Sequence, residues 1–246
     1  MLKTKLLICI ATWMAVTSAG AQTVTGNARY VDPFIGVDGG GNVFPGVCTP
    51  FGMVKLGPDC GNKDWNAGWN PDGNIHGFSH THVSGTGGGC KYGNVLMLPL
   101  TGDIHLEDYS SPRANENTVL GEYKVELPRY RTAARLTALS KAGFHEYTFP
   151  QSESSKILID AGSCLTLHVE SQELVASGVK ILSNKEIEGY STVKGGWNLG
   201  GPYTVYFYAL LDTPADEYTV WKGTSVQSGE QVDACLLYTS PSPRDS

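Results

Sequence analysis

From residue 121 onward the chain alternates apolar and polar residues in short runs. "GEYKVEL", "RLTALSKAGFHEYTF", "KILIDAG", "LTLHVESQELV", "EIEGYSTV" and "YTVYFYALL" follow one another, punctuated by Gly, Pro, Ser and Asn. Val, Ile, Tyr, Phe and Thr dominate the runs, as half-buried pleated strands require. "YTVYFYALL" carries aromatics on both faces and is expected to be an inner strand. Regular short strands with turn signals between them predict an all-β protein, a β-sandwich, and argue against an α/β layer fold.

The first hundred residues break this rhythm. "DPFIGVDGGGNVFPGVCTPFGMVKLGPDCGNKDWNAGWNPDGN" is dense in Gly, Pro, Asn and Asp, with Phe34, Phe44 and Phe51 as single apolar anchors. The aromatics and the short runs "MVKL" and "VLMLPL" oppose disorder. Ordered, long functional loops on a strand scaffold are the expectation. No repeat or low-complexity linker divides the body, so residues 22–234 read as one domain.

The two ends read differently. Lys3 and Lys5 precede an apolar run over residues 6–16, and Ala19, Gly20 and Ala21 form a small-residue cleavage site. Residues 1–21 are therefore expected to be a signal peptide cleaved after Ala21, too short to be a membrane span. The protein is expected to be secreted or periplasmic. Residues 235–246, "CLLYTSPSPRDS", match translated sequencing-adapter DNA through Asp245. They are read as an artefactual tail on a fragment whose natural sequence continues beyond Ala234.

A net charge of −6 leaves no basic footprint for nucleic acid. Cys48, Cys60, Cys90 and Cys164 remain in the body, and an oxidising compartment permits disulfides among them. Their pairing stays open.

Chemistry concentrates in "HGFSHTHVSGTGGGCKYGN", residues 76–94, which holds three of the six histidines. His80 and His82 are two apart, so an extended segment points both rings to one face. Two ligands do not make a metal site, and no structural-zinc spacing is met by adding His76 or Cys90. "VSGTG" lacks the first glycine of a nucleophile elbow, and the glycine run lacks phosphate-loop order. Trp65, Trp69 and Tyr92 offer flat apolar faces, while Asn66, Asn70, Asp72, Ser79, His80 and His82 offer donors and acceptors. That mixture suits a sugar, and it also suits a packed loop interior.

"DPFIGVDGGGNVFPGVCTPFGMVKLGPD", "AGW", "GFSHTHVSGTG", "GNVLMLP", "GEYKVEL", "AGFHEYTFP", "ILIDAG" and "GYSTVKGGW" together resemble the N-terminal domain of bacterial exo-α-mannosidases of glycoside hydrolase family 92. The resemblance runs from about Tyr30 to Trp221. It departs after the histidine string, where the family commonly carries an acidic "GDLGD"-like segment and this chain has "GCKYGN".

The resemblance implies a β-sandwich packed on a C-terminal (α/α)6 domain that lies beyond this chain. It also implies calcium dependence and inversion at the anomeric carbon of mannose-containing glycans. An inverting pair of carboxyl groups stands about 6.5–9.5 Å apart to admit water. In the family that pair and the calcium ligands lie in the C-terminal domain, so no catalytic or metal residue is assigned here. Asp32, Asp38 and Asp59 are read as turn and capping residues. By resemblance Trp65 and His76 form the pocket wall, His76 standing where the family often has an aromatic. Trp69, Ser79, His80 and His82 are further candidates, contacting sugar or fixing the loop.

Two rivals differ in class. One is a non-catalytic carbohydrate-binding β-sandwich. The other is a metal-dependent hydrolase built on His76, His80 and His82.

Overall fold

Alternating sequence becomes a strand where one of its faces finds a core. The computed structural model describes residues 25–38, 41–61, 67–83, 91–151, 154–166, 172–222, 225–227, 231–232 and 235–239. Residues 1–21, Trp65 and Cys90 lie outside them. A 3-10 turn, Gly26–Tyr30, comes first. The loop-rich part supplies β1 (Val47–Cys48), β2 (Lys55–Asp59), β3 (Gly77–Ser79) and β4 (Leu96–Thr101). A meander follows: β5 (Ala114–Val119), β6 (Glu122–Leu127), β7 (Thr132–Ala138) and β8 (Gly143–Thr148). Then come β9 (Ser155–Asp160) and a second meander of β10 (Gln172–Ile181), β11 (Glu186–Gly195) and β12 (Asn198–Leu210). The order closes with β13 (Glu217–Lys222), β14 (Ser225–Gln227), β15 (Gln231–Val232) and β16 (Cys235–Thr239).

Among the described residues these strands form three antiparallel sheets. The largest has the order β1-β2-β3-β4-β9-β16-β13-β14; the others are β5-β6-β7-β8 and β12-β11-β10-β15. The large sheet is the middle layer, and side-chain parity shows it. On β4, Leu96, Leu98 and Leu100 enter one core with Tyr123, Val125 and Leu127 of β6 and Leu136 of β7. Met97, between them, enters a second core with Ile159 of β9, Val179 of β10 and Ile187 of β11, against which Phe207 of β12 packs. Successive residues of a strand face opposite sides. A sheet covered on both faces therefore needs strands that are apolar throughout, and "LMLPL" is such a run. The alternating strands of the two meanders need only one apolar face each, and they supply the outer layers.

The expected all-β sandwich is what forms. One strand differs from expectation. "YTVYFYALL" lies in β12, at the edge of its sheet, with Tyr206 77% and Tyr208 58% exposed. Its aromatics face two ways because Phe207 packs on the core while Tyr206 and Tyr208 look outward. The segment read as an adapter tail is laid down as β16, between β9 and β13, with Leu237 opposite both Leu158 and Thr219. Of the cysteines, Cys48 and Cys164 carry free thiols. Burial pushes the Cys164 thiol up to about 11, which keeps it protonated and unreactive.

Candidate functional site

The histidine stretch begins as β3, held between β2 and β4. Past Ser79 it runs on as a ladder: His80 N–H donates to Asn94 O at 3.1 Å, and Gly93 N–H to Thr81 O at 2.7 Å. Lys55 N–H donates to His80 O at 2.9 Å on the other side. Asn94 ties the returning strand to its surroundings. Its amide donates to Ser191 Oγ at 3.2 Å, and its carbonyl oxygen accepts from Thr81 Oγ1 at 3.0 Å.

Beneath this ladder lies a buried polar cluster. Asp59 Oδ2 accepts from Ser79 N–H at 2.9 Å, and Asp59 Oδ1 lies 2.8 Å from His82 Nε2. His82 Nδ1 lies 2.6 Å from the Lys55 carbonyl. Both ring nitrogens of His82 thus face oxygen atoms, the Asp59 carboxyl on one side and the Lys55 carbonyl on the other. Ser79 Oγ stands 3.2 Å from the same Nε2. The trio has the composition of a catalytic triad but not its wiring. Serine and carboxylate share one nitrogen, and the other is spent on backbone, so no nitrogen can take the serine proton. Phe44 stacks on His82 with centroids 4.4 Å apart, sealing the cluster. Ser79 and His82 are buried and spend their polar atoms on holding the loop. Asp59, expected in a turn, instead sits in β2, whereas Asp32 does cap a turn by accepting from Phe34 N–H at 2.9 Å.

His80 faces the other way, toward β8. Its Nδ1 lies 2.6 Å from Val95 O, and its Nε2 lies 3.0 Å from His145 Nε2. His145 Nδ1 is 2.7 Å from Tyr147 OH. These contacts allow one assignment of neutral rings. The Val95 carbonyl accepts, so His80 carries its proton on Nδ1 and accepts on Nε2. His145 then donates from Nε2 and accepts the Tyr147 hydroxyl on Nδ1. Burial stabilises this neutral state. Desolvation, and then His80, hold His145 well below the usual imidazole range. Desolvation lowers His80 as well, against the opposing pull of the Val95 carbonyl. The relay lines a groove of about 1210 Å³ between β8 and β12, floored by Met97, Ile157 and Ile159.

His76 lies away from that groove. It is half-buried, edge-on to Tyr109 with centroids 6.4 Å apart, and its Nε2 is 3.9 Å from the Cβ position of Gly61. Gly61 is the last described residue before the segment that holds Trp65. Trp69 is only 3% exposed. Its Nε1 donates to Glu116 Oε1 at 3.3 Å, and the Arg113 guanidinium lies 4.8 Å from its ring centroid. Trp69 therefore anchors the loop from within the core, with its ring faces already packed. The structure thus splits the candidates into an outward His76, an inward Trp69, a buried Ser79–His82 cluster and a groove-lining His80. His76, His80 and His82 do not converge, and the described residues contain no metal-holding group of three or more His, Cys, Asp or Glu. The metal-dependent hydrolase built on them is set aside.

Sequence reading missed Asn94, His145 and Tyr147. The signal was present in "GFHEYTF": Gly143, His145 and Tyr147 share one face of β8, an inward face that carries polar rings. In the divergent "GCKYGN" segment, Lys91 is buried with its ammonium 4.5 Å from the Trp197 ring centroid, a cation–π contact.

This is a β-sandwich domain whose loop end is stiffened by buried polar contacts and presents His76 at its surface. The chain belongs to glycosyl hydrolase family 92: residues 30–243 match the family's N-terminal domain. It is similar to the family GH92 α-mannosidase BT3965 from Bacteroides thetaiotaomicron, solved in complex with mannoimidazole. The two share 28% identity at a TM-score of 0.77, over 87% of this chain and 30% of that one. The fold is also that of the GH92 family glycosyl hydrolase ccman5, at 24% identity and a TM-score of 0.72, over 86% of this chain and 30% of that one. An uncharacterized secreted glycosidase of Arthroderma benhamiae is 31% identical over 150 residues, which is 56% of this chain and 19% of the fungal protein. The chain thus spans less than a third of each of these relatives.

Proposed function

We propose that the chain is the N-terminal pocket-wall domain of a calcium-dependent, inverting exo-α-mannosidase acting on mannose-containing glycans. The observation that carries this reading is the likeness to BT3965, which extends over 87% of the chain. The position of His76 supports it: a half-buried ring at the loop end, beside the glycine that leads into the Trp65 segment. In this reading Trp65 and His76 meet the sugar beyond the terminal mannose, and the buried Asp59–His82 pair ties β2 to the histidine stretch. Acid, base and calcium belong to an (α/α)6 domain of the parent. The described residues do not fit a calcium site, since both Asp59 oxygens are spent on Ser79 and His82. No step is therefore routed through the ion here, and the chain alone is inactive. Residues 1–21 direct the parent to a secreted or periplasmic location.

The test is to express the gene read past the Ala234 codon and follow mannose release from an α-linked mannobiose by NMR. Calcium-dependent release with the β-anomer appearing first is expected, with none from the 246-residue chain. Substituting His76→Ala in the parent is expected to lower kcat/KM by about tenfold, the loss of one good polar contact in the transition state. Release with retained configuration, release unaffected by chelator, or turnover by the short chain would each overturn the reading.

A further inference from the structure

We infer that the outer face of the β10–β12 sheet is a second carbohydrate site, a flat platform that stacks a neutral oligosaccharide on Tyr190 and Tyr206. Its geometry begins with a glycine. Gly178 of β10 is paired with Tyr190 of β11, and a Cβ built on Gly178 would lie 2.6 Å from Tyr190 Cε1. The Tyr190 ring therefore lies across the glycine, flush with the sheet, where any side chain at 178 would prop it upright. The opposite face uses the same device for a different end. A Cβ on Gly189 would lie 2.5 Å from Phe207 Cε1, and that ring packs on the core. On the outer face the flattened Tyr190 ring is half-buried beside the exposed Tyr206.

The register extends the platform. Tyr206 of β12 is opposite Tyr190, their rings 6.4 Å apart and inclined at 45°. Tyr208 and Leu210 continue the row, and all three β12 side chains are exposed. Same-face positions on a strand are about 7 Å apart, so Tyr206 and Tyr208 span more than one sugar ring. Polar groups flank the rings. Thr192 and Thr204 share a hydroxyl contact of 2.8 Å on one side, and Lys180 and Glu188 form an ion pair of 3.3 Å on the other. The Tyr208 hydroxyl engages Glu186, and Lys194 pairs with Glu173 at 3.0 Å.

Charge selects the occupant. Lys180 and Lys194 are matched by carboxylates on the same face, which leaves little for an ionic partner to complement. A purely apolar partner would bury those ion pairs at a desolvation cost. A polyhydroxylated ring meets both demands, with C–H patches on the tyrosines and hydroxyls toward Thr, Glu and Lys. The choice of a mannose polymer as probe rests on the proposed function; the platform itself rests on the sheet face.

The full 246-residue chain is run by affinity electrophoresis in gels containing yeast α-mannan, beside its Tyr206→Ala, Gly178→Ala, His76→Ala and Leu120→Ala variants. Leu120 is exposed on the turn between β5 and β6 and serves as the control. Retardation of the wild-type chain and of Leu120→Ala is expected, with Tyr206→Ala about tenfold weaker, the loss of one stacked ring. Gly178→Ala, which tilts Tyr190 without removing it, is expected to weaken binding too. Circular dichroism confirms that the variants fold. Unchanged retardation of Tyr206→Ala overturns the platform, and so does a wild-type chain that is not retarded. A dimer in light scattering that Tyr206→Ala converts to monomer also overturns it, by assigning the face to a second copy. Loss of binding in His76→Ala with Tyr206→Ala unaffected overturns the platform and leaves the pocket-wall reading standing. That reading fails separately, on mannose release by the longer parent.

Discussion

His80 and His145 meet nitrogen to nitrogen, and only one proton fits between them. Adding a second sets two N–H groups against each other in a desolvated wall. Both rings have folded-state values below the ordinary imidazole value of 6.5. The unfolded chain therefore binds more protons than the folded one below that pH, and stability must fall as pH falls through the window. The expected slope from this source is at most about 1.4 kcal/mol per pH unit for each proton taken up. Urea melts of the chain between about pH 7 and pH 5 should show it. A His145→Gln variant, which retains a donor but does not titrate, should flatten the curve. An equally steep curve in that variant would place the proton uptake elsewhere.

At the scale of elements, the loops of the first hundred residues owe their order to close approaches. Phe44 stacks on His82 because Gly46 and Gly57 make room: Cβ atoms built there would lie 2.1 Å and 2.3 Å from Phe44 Cε2. Gly57→Ala is thus expected to cost about 1–3 kcal/mol, the usual range for overpacking, and to loosen the β2–β3 pair. A thermal melt reads the loss; an unchanged midpoint would mean that Phe44 has somewhere else to go. The sequence showed these glycines and the anchor Phe44 but not their meeting, since nothing local links Phe44 to Gly57 or Asp59 to His82. The β5–β8 and β10–β12 meanders were legible for the opposite reason, their partners being next in the chain. Trp69 was not legible as core, because an indole before "NPDG" reads the same whether it faces a sugar or Glu116. The position of β12 was lost similarly, as an aromatic outer face mimics a buried one.

At the scale of the whole molecule, apolar surface gathers near the Thr49–Gly52 turn. Phe51 is fully exposed at φ 59°, a backbone conformation that costs a non-glycine residue about 1–2 kcal/mol. Met53, Leu139 and Phe144 are exposed as well, and patches of this kind favour association. Phe51→Gly is expected to raise the melting midpoint of the chain and reduce its light scattering. A lower midpoint would show that the ring is held by contacts of its own. The topology carries a further consequence, in time. Each meander interrupts the middle sheet: β5–β8 between β4 and β9, and β10–β12 between β9 and β13. Local hairpins form in microseconds, whereas pairings distant in sequence must wait for loop closure. Both outer layers are therefore available before β4 and β9 find each other. Until then β4, apolar on both sides, has no shelter on either, and those six residues set the interval in which the nascent chain most needs a chaperone.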